Sequence, residues 1–160
     1  MGYEIERKFL VEGEFKSKAF KSFKIKQGYL ALSGANVVRV RVKGDVGYIT
    51  VKTAVKEGTI TRHEWEYAIP QAEAEEMLEL CEDAILDKTR YLVKVGDHVF
   101  EVDEFHGDND GLLLAEVELD SENEKYDRPE WLGEEVTGNV RYYNSFLSIH
   151  PFKGWSEDNS

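Results

Sequence analysis

Glu4 and Glu6 stand two residues apart near the start of the chain, with Lys8 two residues further on, and this spacing recurs throughout the sequence. Residues two apart on an extended strand project to the same face. Each such pair therefore presents two like groups side by side. The cationic sets are Arg39 with Arg41 and Lys88 with Arg90; the acidic ones are Glu64 with Glu66, Glu101 with Asp103, and Glu116 with Glu118. Lys8, Lys52 and Arg62 add single cations. Guanidinium forks and lysine amines suit phosphate oxygens. Carboxylates sharing one face suit a hard divalent ion such as Mg²⁺ or Mn²⁺. Both sets together are what a metal–polyphosphate complex needs.

The elements that must position these groups are strands, because period-2 alternation dominates the chain. Candidate strands run over 3–11, 23–32, 37–43, 47–55, 59–69, 87–95, 98–105 and 112–120. Gly96-Asp97 between two alternating runs is a hairpin signal, and Ser33-Gly34, Lys43-Gly44-Asp45 and Lys56-Glu57-Gly58 mark further turns. Opposite each charged face lies an apolar one: Val38, Val40 and Val42 against Arg39 and Arg41, or Val117 and Leu119 against Glu116 and Glu118. A sandwich with solvated, ion-paired outer faces accounts for any one strand. For seven strands together, a closed barrel with a charged interior accounts for the pattern better. Buried charges are costly unless paired or liganded, so such a lumen implies a charged ligand, water and metal inside it.

Pro70 followed by QAEAEEMLELCEDAIL predicts a helix carrying Met77, Leu78, Cys81, Ala84 and Ile85 on its apolar stripe. A shorter helix is expected within 12–22 and another over part of 139–150. The class is α+β and mostly antiparallel, with residues 1–152 as one domain and 153–160 as a polar tail.

Composition bounds the partners. The chain has 160 residues, a formal net charge of −12, 41% hydrophobic residues and one cysteine, Cys81. That apolar share is too high for a disordered acidic chain. The acidic balance argues against broad nucleic-acid or membrane-surface binding. A single cysteine and a start without the basic-then-apolar order of a signal peptide lead to a cytoplasmic expectation, as a monomer or homodimer. His63, His98, His106 and His150 lack metal-ligand spacing, and no glycine-rich nucleotide loop stands between a strand and a helix.

Glu4-Ile5-Glu6-Arg7-Lys8 resembles the ExExK signature of the CYTH superfamily, the triphosphate tunnel metalloenzymes. The ordered series Arg39-Val40-Arg41, Thr50-Val51-Lys52, Glu64-Trp65-Glu66, Lys88-Thr89-Arg90, Glu101-Val102-Asp103 and Glu116-Val117-Glu118 strengthens the resemblance over about residues 3–150. It implies an eight-stranded antiparallel β-barrel forming a tunnel, with helices outside. It implies that Glu4, Glu6 and Glu118 hold a metal ion, with Glu116 and Asp103 or Glu64 around a second ion or its waters. It further implies that Lys8, Arg39, Arg41, Lys52, Lys88, Arg90 and Arg141 grip phosphates.

The activity expected from this resemblance is Mg²⁺- or Mn²⁺-dependent hydrolysis of a triphosphate, inorganic tripolyphosphate first. Glu116 would orient the attacking water. Lys8 would stabilise the transferred phosphoryl, while Arg41 and Lys52 would neutralise developing charge. Class IV adenylyl cyclase, thiamine triphosphatase and a polyphosphate-binding module without turnover are the alternatives. No base-recognition element stands out for the cyclase. Tyr29 is expected to pack rather than reach ligand.

Overall fold

A computed structural model describes residues 2–33 and 36–155. The Ser33-Gly34 turn and most of the expected 153–160 tail lie outside or at the edge of that range. Nine strands form: β1 (Gly2–Val11), β2 (Ala19–Ser33), β3 (Asn36–Lys43), β4 (Val46–Lys52), β5 (Thr61–Ile69), β6 (Leu86–Val95), β7 (His98–Phe105), β8 (Leu113–Glu118) and β9 (Leu132–Glu135). The sheet order is β5-β4-β3-β2-β6-β7-β8-β1-β9, and β1 also pairs with β5. All ladders are antiparallel. Strands β1 to β8 thus close into an eight-stranded barrel, which leaves no free edge around the ring.

Closure depends on β1 serving two neighbours. Its residues Gly2–Ile5 pair with β5, while Glu6–Leu10 pair with β8. The short β9, outside the eight expected strands, pairs with Phe9 and Val11. Gly44 and Gly96 turn the β3–β4 and β6–β7 hairpins at φ near +61°, where a side chain would be strained.

The apolar faces point outward and are covered by the connections. Phe9, Phe100, Val102 and Val117 pack with Phe15 and Trp131 from the segments flanking β1 and β9. A second cluster closes one end of the lumen. Leu86, Phe105 and Leu114 continue the lumen-facing rows of Lys88, Asp103 and Glu116. They pack with Leu147 of helix α2 (Asn144–Ile149) and with Trp155. Trp155 is therefore core rather than tail, and only residues after it remain of the expected 153–160 extension.

Helix α1 (Gln71–Leu78) lies across the outside of β3 and β4. It stops before Cys81, Ala84 and Ile85, so the predicted stripe is not one helix face. The last turn carries no basic residue, and Glu79, Glu82 and Asp83 follow it, an acidic end that opposes the helix dipole. The freed segment drops Cys81 and Ile85 onto Gly28, whose missing side chain makes the room. The helix expected within 12–22 shrinks to one 3-10 turn at Lys16–Lys18.

Gly47 does the same for α1. A Cβ there would stand 2.6 Å from the Ala74 Cβ and 3.0 Å from the Ile69 carbonyl oxygen. Gly47→Ala is accordingly expected to destabilise the fold by about 1–3 kcal/mol through overpacking. Urea denaturation checks this, with activity per folded molecule unchanged.

Candidate active site

The lumen rows bring the charged groups together as the alternation predicts. A cavity of about 910 Å³, counting its open mouth, is lined by Glu4, Glu6, Lys8, Arg39, Lys52, Arg62, Lys88, Arg90 and Glu116. The ladder register explains the convergence: Glu4 faces Arg62, Glu6 faces Glu118, and Lys8 faces Glu116 across neighbouring strands.

The cations are held in place by acids before any ligand arrives. Arg90 donates from Nε and Nη2 to both oxygens of Asp103 at 2.8 and 2.9 Å, and from Nη1 to Glu101 at 2.9 Å. Lys88 Nζ lies 2.9 Å from Asp103 and donates to Asn144 Oδ1 at 3.0 Å. Asp103 is 3% exposed and its carboxyl is fully engaged by these two cations. Burial alone would raise its pKa, but Arg90 and Lys88 hold it well below the ordinary carboxylate range. Asp103, expected beside a second metal ion, is engaged by Arg90 and Lys88.

Arg39 and Arg41 share Glu66 at 3.4 and 3.2 Å, and Thr50 donates to the same carboxylate. Burial, then Arg39 and Arg90 nearby, bring Arg41 down to about 10. Lys8 lies 3.3 Å from Glu116 and donates to the Tyr142 carbonyl. Burial would raise Glu116, yet Lys8 and a hydrogen bond from Glu6 bring it to about 2. It is therefore an anion at neutral pH, able to accept from water.

The remaining carboxyls are crowded. Lys52 Nζ reaches Glu4 at 2.7 Å and Glu64 at 3.9 Å. Burial and then Glu116 and Glu4 push Glu6 well above its ordinary value. Burial and a hydrogen bond to Glu4 raise Glu64 to about 7. Glu118, exposed at the lumen rim, is raised by burial and then by Glu4 and Glu101.

Among the described residues, no three acids or histidines already converge as a ligand cluster. The donor chemistry nonetheless fits a divalent cation. Glu6, Glu64 and Glu118 are raised by burial first and then by the carboxyls beside them, a repulsion that a divalent cation would relieve. Glu4 Oε2 is buried without a directed hydrogen bond. Glu4, Glu6, Glu64 and Glu118 are all hard oxygen donors.

Arg141 falls outside this arrangement. Its guanidinium stacks over the Trp155 ring at 4.3 Å; like Arg41, Glu64, Asp103 and Glu118, it does not itself line the cavity. Sequence reasoning also missed several lining groups. Tyr29 lines the cavity rather than packing beneath it, with Gln27 donating to its hydroxyl. Thr137 and Tyr143 enter from the segment leading into α2, and Asn144 and Ser145 from its first turn. Gln27 is fully buried within a run of lumen-facing positions, which is the one signal that could have found it.

A closed antiparallel barrel with cations and carboxyls turned inward defines a tunnel protein built for a small polyanion. The chain belongs to the CYTH domain family, whose model matches residues 2–145. Members that are triphosphate tunnel enzymes use a divalent metal. The chain is 46% identical to an inorganic triphosphatase of Acetivibrio thermocellus over 158 residues, 98% of this chain and 100% of that one. It is 37% identical to an inorganic triphosphatase of Nitrosomonas europaea over 150 residues, covering 91% and 97%. Among solved structures it resembles the crystal structure of the inorganic triphosphatase NE1496, with TM-score 0.67 and 33% identity over 93% of this chain and 96% of that one. No helix of the described residues is long and apolar enough to cross a membrane.

Proposed function

We propose that this chain hydrolyses a phosphoanhydride bond of a triphosphate held inside the barrel, with inorganic tripolyphosphate as the substrate. The observation that carries this reading is the facing of Lys8, Arg39, Lys52, Lys88 and Arg90 with Glu4, Glu6 and Glu116 around one cavity. Substrate of that charge exchanges the internal ion pairs for phosphate contacts. Arg39, Arg41, Lys88 and Arg90 grip its oxygens, and Asp103 and Glu66 fix where those cations point. Prepaid orientation of this kind is what lowers the barrier in phosphoryl transfer. Lys8 stands beside Glu116, so a water accepted by that anion would lie next to the amine that steadies the transferred group. Lys52 adds charge from β4, beside Glu4.

Glu4, Glu6 and Glu118, with Glu64 beside them, would hold Mg²⁺ or Mn²⁺. Bound there, the ion supplies Lewis-acid neutralisation of phosphate charge. Phosphate release from tripolyphosphate, ATP, thiamine triphosphate and pyrophosphate, each with Mg²⁺ or Mn²⁺, tests the reading. Tripolyphosphate should be cleaved fastest. Cyclic nucleotide and pyrophosphate from ATP would replace hydrolysis with the cyclase reading, and tight binding without turnover would leave only a binding module.

A pH prediction follows from Lys88. Burial lowers its pKa to about 8, with Asp103 only partly opposing. Above that pH the amine of the free enzyme is neutral and offers no charge to phosphate. The value of kcat/KM, which reports free-enzyme ionisations, should therefore fall as pH rises through about 8. In Lys88→Arg, whose cation does not titrate, the fall should move to higher pH.

A further inference from the structure

Four arginines face the lumen, and three of them are fixed by hydrogen bonds: Arg39 to Thr50, Arg41 to Glu66, and Arg90 to Asp103. Arg62 makes none among the described residues. Its Nε stands 3.7 Å from Glu4 Oε2 and its Nη2 4.0 Å from Glu6 Oε1, distances of charge attraction rather than hydrogen bonding. The β1–β5 register places it there, because Glu4 and Arg62 are direct cross-strand partners. A guanidinium with five donors, lining the cavity and straddling two carboxyls without a directed bond to either, is held loosely by design of the ladder. It also cannot leave by losing its proton. It can leave only by swinging.

We propose that Arg62 is a stand-in cation on Glu4 and Glu6, occupying the charge position of the divalent ion until triphosphate oxygens offer it a better partner. This rests on the function proposed above and deepens it. An ion arriving alone must displace Arg62 into a lumen already crowded with Lys52 and Arg39, so it binds weakly. An ion arriving with triphosphate finds Arg62 drawn onto phosphate, with Lys52 the one cation left against Glu4 among the described residues. Metal and triphosphate therefore bind with positive cooperativity, and linkage makes the effect reciprocal. The coupling passes through one named side chain.

Calorimetric titration of Mn²⁺ into the protein, alone and with the non-hydrolysable analogue imidotriphosphate, reads this without turnover. The parent should bind Mn²⁺ weakly alone and much more tightly with the analogue. Arg62→Gln should bind Mn²⁺ alone about tenfold more tightly, since a like charge near 4 Å is gone, and should lose most of the gain from the analogue. Arg62→Lys keeps the charge and should stay within about threefold of the parent. Arg62→Gln with parental circular dichroism and unchanged or weaker Mn²⁺ affinity would overturn the proposal. If Arg62→Gln does not fold, a tenfold tightening in Arg62→Lys would overturn it instead. A parent that releases phosphate and shows no coupling between Mn²⁺ and analogue overturns this inference alone. A parent that neither binds Mn²⁺ nor releases phosphate overturns the function proposed above as well.

Discussion

Glu4→Gln is expected to lower phosphate release from tripolyphosphate by about 10²–10³-fold, the usual scale for deleting one preorganised electrostatic group from a transition-state site. The substitution keeps shape and removes one charge. Glu4 is buried in the lumen and its carboxyl meets Lys52 at 2.7 Å. Burial opposes its ionisation, but Lys52 and neighbouring donors hold it far below the ordinary glutamate range, so it is a permanent anion. A glutamine there offers a carbonyl oxygen but no charge to a divalent ion, and leaves Lys52 short of its closest counter-ion. Steady-state phosphate release, normalised to folded protein by circular dichroism, checks the effect. Activity within about fivefold of the parent would remove Glu4 from the machinery.

The second large effect is on stability. Asp103→Ala strips the counter-ion from Lys88 and Arg90, which are 2% and 6% exposed. Arg90 retains only Glu101, and Lys88 retains only the neutral Asn144. Breaking a buried pair in this way costs about 3–5 kcal/mol, which for a chain of this size lowers Tm by about 6–20 °C. The sign with pH is set by the depressed Asp103 carboxyl. Its contribution is present above the unfolded aspartate pKa and is lost as pH falls toward the folded value. The deficit of the variant should therefore be full at neutral pH and should narrow in acid. Tripolyphosphate supplies the missing negative charge. Adding it should raise the variant's Tm by more than the parent's, a difference that simple loss of packing would not produce.

That second prediction turns on a residue whose surroundings strand alternation could not reveal. Alternation fixes which face Asp103 shares with Glu101, and the structure keeps that facing. What lies across the face depends on register, and register pairs Arg90 with Asp103 on β6 and β7. The interior charges of β1 and β3 to β8 were legible because each strand repeats polar or charged residues at period 2 against mostly apolar partners. The ring closure was less legible, because it rests on β1 pairing with β5 through Gly2–Ile5 and with β8 through Glu6–Leu10. β9 is four residues with a glycine inside, too short to alternate visibly. Arg141 meets Trp155, in a C-terminal segment that reads as polar tail, a contact that its own neighbourhood in the sequence does not signal. The stripe Met77 to Ile85 follows helical spacing by coincidence. Its second half serves Gly28 on β2 rather than a helix face.

The net charge of −12 takes on a different meaning beside this site. It would repel an extended polyanion at the surface. Within the barrel, Lys8, Arg39, Arg41, Lys52, Arg62, Lys88 and Arg90 outweigh the charge that the crowded acids can carry once a divalent ion joins them. The interior charge suits a short polyphosphate with its metal.

The most direct measurement is a crystal structure of the protein with Mn²⁺ and imidotriphosphate, using anomalous scattering to locate the ion. The account predicts the analogue inside the barrel against Arg39, Arg41, Lys88 and Arg90, with the Mn²⁺ peak on Glu4 and Glu6. An analogue bound on the outer surface, or an ion seated away from both carboxylates, would contradict it.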